Sequence, residues 1–293
     1  MQLYGAFTAL VTPFTENQVD EETFRDHVEW QISQGIDGLV PCGTTGESAT
    51  MSHEEHKRVI KMCLDQAKGR VPVLAGTGSN NTSEAIELTR FAKEAGADGV
   101  LSITPYYNKP TQAGLIAHYK ALAEAVSIPT VVYNVPGRTG TNLLPETLAQ
   151  LKREVPDIIG VKEASGSIKQ VSEVVEYCGQ DFTVLAGEDF IVLPLLSVGG
   201  SGVISVVSNI APAAMAGLCA AHKAQDRERT LDLHFQLAPL CRAMFYETNP
   251  IPVKTALALM GRMKLELRLP LVPLQPQNED KLKKTLTECG LLG

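Results

Sequence analysis

Lys162 closes an apolar, strand-like run, Ile158-Ile159-Gly160-Val161-Lys162-Glu163-Ala164. An ammonium there must be paired, solvated by a cavity or held neutral. Burial favours the neutral amine, because the charged form loses its hydration. A neutral amine is a nucleophile that condenses with a carbonyl to give a Schiff base. For a lone strand lysine, a buried ion pair is the commoner arrangement, so the neighbours decide. Side chains alternate along a strand, which puts Ile158, Gly160 and Lys162 on one face. The small Gly160 suits a crowded interior, so Lys162 points inward, while Glu163 faces the helices in a structural role. The preceding strand ends Val131-Val132-Tyr133-Asn134-Val135-Pro136-Gly137-Arg138-Thr139-Gly140. Tyr133 shares the parity of Val131, so its phenol can lie near Lys162. Alone it would be a core aromatic; beside an inward amine it is a proton donor and acceptor. Arg138, in the loop beyond, is either simply solvated or grips a substrate carboxylate with two hydrogen bonds.

Two other strand ends carry polar groups. In Pro41-Cys42-Gly43-Thr44-Thr45-Gly46-Glu47, two glycines bracket two hydroxyl residues. Successive backbone N–H groups in such a turn form an anion nest, with Thr44 and Thr45 adding donors; a plain tight turn fits this segment equally well. In Thr104-Pro105-Tyr106-Tyr107-Asn108-Lys109-Pro110, a tyrosine pair sits in a proline-bounded loop. The chain has no dinucleotide fingerprint, Walker loop or zinc motif.

Short β-branched runs must position these residues: Ala6–Val11, Gly38–Pro41, Val71–Ala75, Gly99–Ile103, Thr130–Asn134, Ile158–Lys162, Phe182–Ala186 and Gly202–Val206. Amphipathic helical stretches lie between them. Glu21–Gln34 places Phe24, Val28 and Ile32 on one face, and Thr82–Glu94 follows an Asn80-Asn81 entry. Strands alternating with helices pair in parallel. Eight such units predict an α/β fold, a (β/α)8 TIM barrel, with an open doubly wound sheet as the alternative. Gly35-Ile36-Asp37-Gly38 and Gly96-Ala97-Asp98-Gly99 repeat one helix-to-strand junction, each offering a glycine as left-handed cap. After residue 224 the strand signal stops. Arg227–Phe245, Pro252–Met263 and Asn278–Cys289 look helical, so the expected division is a 1–224 barrel and a 225–293 C-terminal helical appendage.

Composition sets the remaining bounds. The 293 residues carry a formal net charge of -7, which argues against a nucleic-acid surface. Phe190–Ala221 is uncharged and long enough to span a bilayer. Its glycines and prolines instead predict a buried helix, a strand and a second buried helix, with no membrane partner. Met1–Phe14 lacks a basic start and reads as a first strand. Six scattered cysteines, with no CxxC pair, read as reduced thiols of a cytoplasmic protein.

Taken together, Gly43-Thr44-Thr45-Gly46-Glu47, Tyr133–Gly140 and Gly160-Val161-Lys162-Glu163-Ala164 resemble the dihydrodipicolinate synthase family. These are pyruvate-dependent class I aldolases, the group that includes N-acetylneuraminate lyase. The resemblance runs from the first strand to Asn249-Pro250-Ile251-Pro252-Val253-Lys254. It implies a lyase in which Lys162 forms an imine with pyruvate and condenses it with L-aspartate 4-semialdehyde, on the diaminopimelate route to L-lysine, with no metal or organic cofactor. It further implies that Thr44 and Thr45 hold the pyruvate carboxylate, and that Tyr133, Thr45 and Tyr107 relay protons, Tyr107 reaching into a neighbouring subunit. Arg138 would bind the semialdehyde carboxylate, and Gly187 and Ile204 would line the site through backbone groups. Ser48, Ala49, His53, His56, Asn80, Glu84 and Tyr106 match positions that bind L-lysine in feedback-inhibited members; without the family they would read as polar residues near a subunit seam. A homotetramer is implied as well. Another aldolase, such as N-acetylneuraminate lyase, and a catalytically silent sensor barrel are the alternatives. Arg138 with Thr139-Gly140 favours the semialdehyde, since sialic-acid lyases do not usually place an arginine there. The chemistry requires a lysine moved from about 10.4 to about 7–8, which partial burial can supply.

Overall fold

The computed structural model describes residues 3–293. Among them the strands are β1 (Gly5–Ala9), β2 (Phe14–Thr15), β3 (Gln18–Val19), β4 (Gly38–Val40), β5 (Leu74–Gly76), β6 (Gly99–Ile103), β7 (Thr130–Asn134), β8 (Ile158–Glu163), β9 (Thr183–Ala186) and β10 (Gly202–Ser205). The helices are α1 (Glu21–Ser33), α2 (His53–Ala67), α3 (Thr82–Glu94), α4 (Gln112–Ala125), α5 (Pro136–Thr139), α6 (Pro145–Glu154), α7 (Ile168–Cys178), α8 (Val192–Ser197), α9 (Pro212–Lys223), α10 (Arg227–Ala243), α11 (Ile251–Leu259) and α12 (Pro276–Glu288).

All eight apolar runs form strands. They join one sheet in the order β4-β1-β10-β9-β8-β7-β6-β5. The first strand lies between the second and the last of the eight, and the rest follow in chain order. That cyclic order is the (β/α)8 barrel; a doubly wound sheet would reverse direction at a switch point. The third run begins later than expected because Pro72 has no N–H to give a ladder. The β2–β3 hairpin was not foreseen. Its strands are too short to show a period, and its turn residues Glu16 and Asn17 take φ values of 53 and 60, as a two-residue hairpin turn of the I′ type requires.

The helix starts follow local capping chemistry. The Asp20 side chain accepts from Thr23 N at the start of α1, and that of Asn81 accepts from Ser83 N at the start of α3. Gly35 and Gly96 take φ values of 81 and 94 just past those helices, so the repeated junction is real. The buried face of α1 is Phe24, His27, Val28 and Gln31, and Ile32 is only half-buried. Two polar residues replace the expected apolar one because each has partners. His27 Nε2 meets Asn209 Oδ1 at 3.0 Å, and Gln31 accepts from Thr8 Oγ1 and donates to Ser208 O. The uncharged stretch from Phe190 resolves into α8, β10 and α9. Among the described residues no helix is long and apolar enough to cross a membrane.

Two compact units divide the chain. Among the described residues, one comprises Pro72–Ile204 with residues 3–5, the other Ala6–Val71 with Ser205–Gly293. The first carries the β5–β9 ladder, with Val100, Val131, Val132, Val161 and Val184 fully buried. The second is built on Phe7, Phe14, Phe24, Leu39, Ile60 and Leu286, and contains α10–α12, the helices expected after the last strand.

Candidate functional site

Within the first unit, β7 and β8 pair in parallel with Tyr133 opposite Lys162. Parallel register gives the two side chains the same face, as the alternation predicted. Lys162 is 5% exposed, and its Nζ lies 4.3 Å from the centroid of the Tyr133 ring. The absence of a side chain at Gly160 permits this placement. A Cβ there would sit 2.5 Å from Thr183 O, so no other residue lets β8 and β9 approach this way. Gly187, just past β9, is as constrained: a Cβ would come within 3.2 Å of Lys162 Cε and 2.5 Å of Ala164 Cβ. Its N–H donates to Glu163 O at 2.8 Å. Ile204 is buried in β10.

Burial is the main influence on the Lys162 amine and lowers it from 10.5 to about 8. The Asp189 carboxylate pulls it up, and the Arg138 guanidinium pushes it further down. Asp189, in a short 3-10 turn after β9, had no signal in the sequence beyond being an acid near a strand end. Arg138 is not in a loop. Pro136 opens and Gly140 (φ 70) closes the one-turn helix α5, which presents Arg138 to solvent. Glu163 lies on the opposite face of β8, as expected. Its carboxylate accepts from Ser165 N at 2.7 Å and from Asn134 Nδ2 and Gln170 Nε2 at 3.0 Å each. Three neutral donors hold the end of β8 against β7 and α7.

Within the second unit, Gly43–Glu47 form a tight turn in which Gly46 N donates to Gly43 O and Glu47 N to Thr44 O. Those two N–H groups are consumed by the turn itself, so a nest could draw only on its earlier residues. Thr44 is half-buried; Thr45 is buried, and its Oγ1 accepts from Asn249 Nδ2 at 3.0 Å. Cys42 and Glu47 hold the turn with left-handed φ values of 60 and 53. Burial pushes the Cys42 thiol well up, so it is an inert packing group. A second buried lysine was not foreseen. Lys254 pairs with Glu47, both side chains being fully enclosed, and also donates to Thr12 O at 3.0 Å. Arg268 N donates to Glu47 Oε2, and its guanidinium forms a two-bond pair with Glu55.

The remaining positions divide by unit. Tyr107 is 89% exposed with φ 72, and Tyr106 is 38% exposed. Tyr107 therefore stands in solvent, whereas Lys162 and Tyr133 are buried. Near it, Asn80 O accepts from Asn108 Nδ2, and Glu84 accepts from Ser79 Oγ at 2.8 Å. In the other unit, Ser48 and Ala49 open a 3-10 turn ahead of α2, His53 begins α2 exposed, and His56 is buried one turn on.

The fold and the Lys162 environment define a class: (β/α)8 proteins that present a desolvated amine beside a phenol at a strand end, as imine-forming aldolases do. The profile of the Dihydrodipicolinate synthetase family matches residues 2–289, and the chain belongs to that family. It is 67% identical over 292 residues to the 4-hydroxy-tetrahydrodipicolinate synthase of Nitratidesulfovibrio vulgaris (strain DP4), covering 100% of both chains. The chloride-inhibited dihydrodipicolinate synthase of Acinetobacter baumannii, solved in complex with pyruvate, superposes with a TM-score of 0.97 at 44% identity, covering 99% of this chain and 100% of that one. The lysine-bound enzyme of Cyanidioschyzon merolae superposes with a TM-score of 0.96 at 37% identity and covers 100% of each chain.

Proposed function

We propose that this chain is a 4-hydroxy-tetrahydrodipicolinate synthase, condensing pyruvate with L-aspartate 4-semialdehyde through an imine on Lys162. The observation that carries the reading is the Lys162 amine, enclosed and held at about 8 beside the Tyr133 ring. Full-length relatedness to enzymes of that name supports the choice of substrates. Lys162 Nζ adds to the keto carbon of pyruvate, and the carbinolamine loses water. The resulting iminium is an electron sink, so the methyl group gives up a proton and becomes an enamine carbon. The face of the Tyr133 ring favours the cation at this stage. The enamine carbon attacks the aldehyde, and the amine of the semialdehyde then displaces Lys162 and closes the ring.

The other assignments rest on the family resemblance. Thr44 and Thr45 take the pyruvate carboxylate, Arg138 takes that of the semialdehyde, and Gly187 and Ile204 offer backbone groups. Tyr133, Thr45 and Tyr107 pass protons. The exposure of Tyr107 suits a residue that serves a neighbouring subunit, and a homotetramer is the proposed assembly. The lysine-bound relative supports feedback by L-lysine at Ser48, Ala49, His53, His56, Asn80, Glu84 and Tyr106. A cytoplasmic location and a boundary near residue 224 between barrel and helical appendage complete the proposal.

Borohydride added with pyruvate tests the central step. The expected product is a pyruvate-sized adduct on Lys162, with condensation in a coupled assay. An unmodified Lys162, or faster turnover of N-acetylneuraminate than of the semialdehyde, would refute it. For the lysine site, the expected result is inhibition by millimolar L-lysine that weakens in His56→Ala; flat activity in both proteins would remove the assignment.

A further inference from the structure

Asn249 lies two residues before α11, is buried, and donates through Nδ2 to Thr45 Oγ1 at 3.0 Å. A hydroxyl has one proton and two lone pairs, and the amide nitrogen of asparagine can only donate. The Thr45 oxygen therefore spends a lone pair on Asn249, and its proton points elsewhere. The bond fixes the sense of the hydroxyl as well as its place.

The surroundings make that constraint rigid. Five residues beyond Asn249, Lys254 is paired with Glu47, two residues beyond Thr45. Lys254 also holds Thr12 O, and Thr12 Oγ1 donates to Gly46 O at 2.7 Å. A Cβ on Gly46 would meet Leu10 O at 3.1 Å, Thr12 Oγ1 at 3.2 Å and Cys42 N at 3.3 Å, so the turn has no room to shift. The Asn249–Lys254 segment thus grips the Thr44-Thr45 turn at two points, one acting on backbone position and one on the direction of a single proton.

We propose that Asn249 is a positioning residue that directs the Thr45 hydroxyl proton toward the pyruvate carboxylate as pyruvate binds, leaving the second lone pair of that oxygen for the relay. The inference rests on the reading of Thr45 given above. It explains why an amide, and no carboxylate, lies behind Thr45: an aspartate would accept the hydroxyl proton and turn it away from substrate.

The experiment measures how borohydride trapping depends on pyruvate concentration in Asn249→Asp, Asn249→Ala and the native chain. Asn249→Asp keeps the shape but reverses the hydroxyl, and half-saturating pyruvate is expected to rise about tenfold. Asn249→Ala only releases the hydroxyl, and a rise of about threefold is expected. Packing alone predicts the opposite order, because alanine leaves the larger void. In a Thr45→Val background the Asp substitution is expected to add less than about twofold. Native half-saturation in Asn249→Asp, a larger effect from Ala than from Asp, or an undiminished Asp effect without the Thr45 hydroxyl would each overturn the inference. The last would mean that the new charge simply repels pyruvate. If near-ultraviolet circular dichroism shows that Asn249→Asp does not fold, Asn249→Ala is compared in the native and Thr45→Val backgrounds instead: its effect of about threefold is expected to vanish without the hydroxyl, and an undiminished effect would overturn the inference. Failure to trap the native chain at all would instead overturn the imine reading, and this inference with it.

Discussion

Lys162 and Lys254 are both buried, and each amine lies 4.3 Å from the centroid of an aromatic ring, that of Tyr133 in one case and Phe14 in the other. Desolvation is the leading influence on both and lowers both. Their partners differ. Lys254 is bonded to the Glu47 carboxylate and a backbone carbonyl, and the carboxylate counters the desolvation while the bonds tie elements together. Lys162 feels Asp189 only as a field, partly cancelled by Arg138. Burial alone does not make a reactive amine. Burial without a bonded counter-charge is what sets Lys162 apart as the proposed nucleophile, and the chain carries one lysine of each kind.

The comparison can be broken at either lysine. The largest effect is expected on turnover: Lys162→Ala should lower condensation by on the order of 10⁴-fold or more, since the covalent route disappears. Borohydride should leave Lys254 unmodified in the same sample, and labelling of Lys254 by pyruvate would collapse the distinction.

On stability the two sites should differ in sign. Lys254→Met strands the enclosed Glu47 carboxylate and should cost about 3–5 kcal/mol in urea denaturation, with much of the loss recovered in Lys254→Met/Glu47→Gln. Lys162→Met should stabilise the protein by about 1–3 kcal/mol at neutral pH. The folded-state value of Lys162, about 8, lies below its unfolded value of 10.5, so protonation favours the unfolded chain. That penalty is complete below about pH 8 and fades as pH climbs toward 10.5. The advantage of the Met variant should fade over the same window, and a constant advantage across it would exclude titration of Lys162 as the cause.

Smaller effects concern tuning. The rate of imine formation should rise with pH through a midpoint near 8. Arg138→Gln removes a nearby positive charge, so the midpoint should move upward by less than about one unit. Because Arg138 is exposed, added salt should shrink that displacement. A downward move would reverse the assigned role of the guanidinium.

Much of this was legible in the sequence because it follows from short-range rules. Alternation along Ile158–Glu163 separated an inward amine from an outward acid, and the glycine junctions at Gly35 and Gly96 marked where helices end. What could not be read was pairing at long range between polar residues. Nothing near Glu47 announces Lys254, and nothing near Thr45 announces Asn249, about two hundred residues away. The same blindness hid the inner face of α1, where His27 and Gln31 are tolerated only because distant groups satisfy them. The one-turn helix carrying Arg138 was too short to leave a periodic trace.

The Glu163 cluster carries a consequence for threading. Acid and amine are adjacent in the chain yet occupy opposite sides of one ribbon. A slip of β8 by a single residue would exchange them, driving a carboxylate into the interior beside Tyr133 and an ammonium among the amides of Asn134 and Gln170, which are poised as donors. Both mistakes would leave like poles facing or charges stranded, so the misaligned strand finds no resting place. The dipeptide that carries the proposed nucleophile also serves as the key that admits only one alignment of its strand.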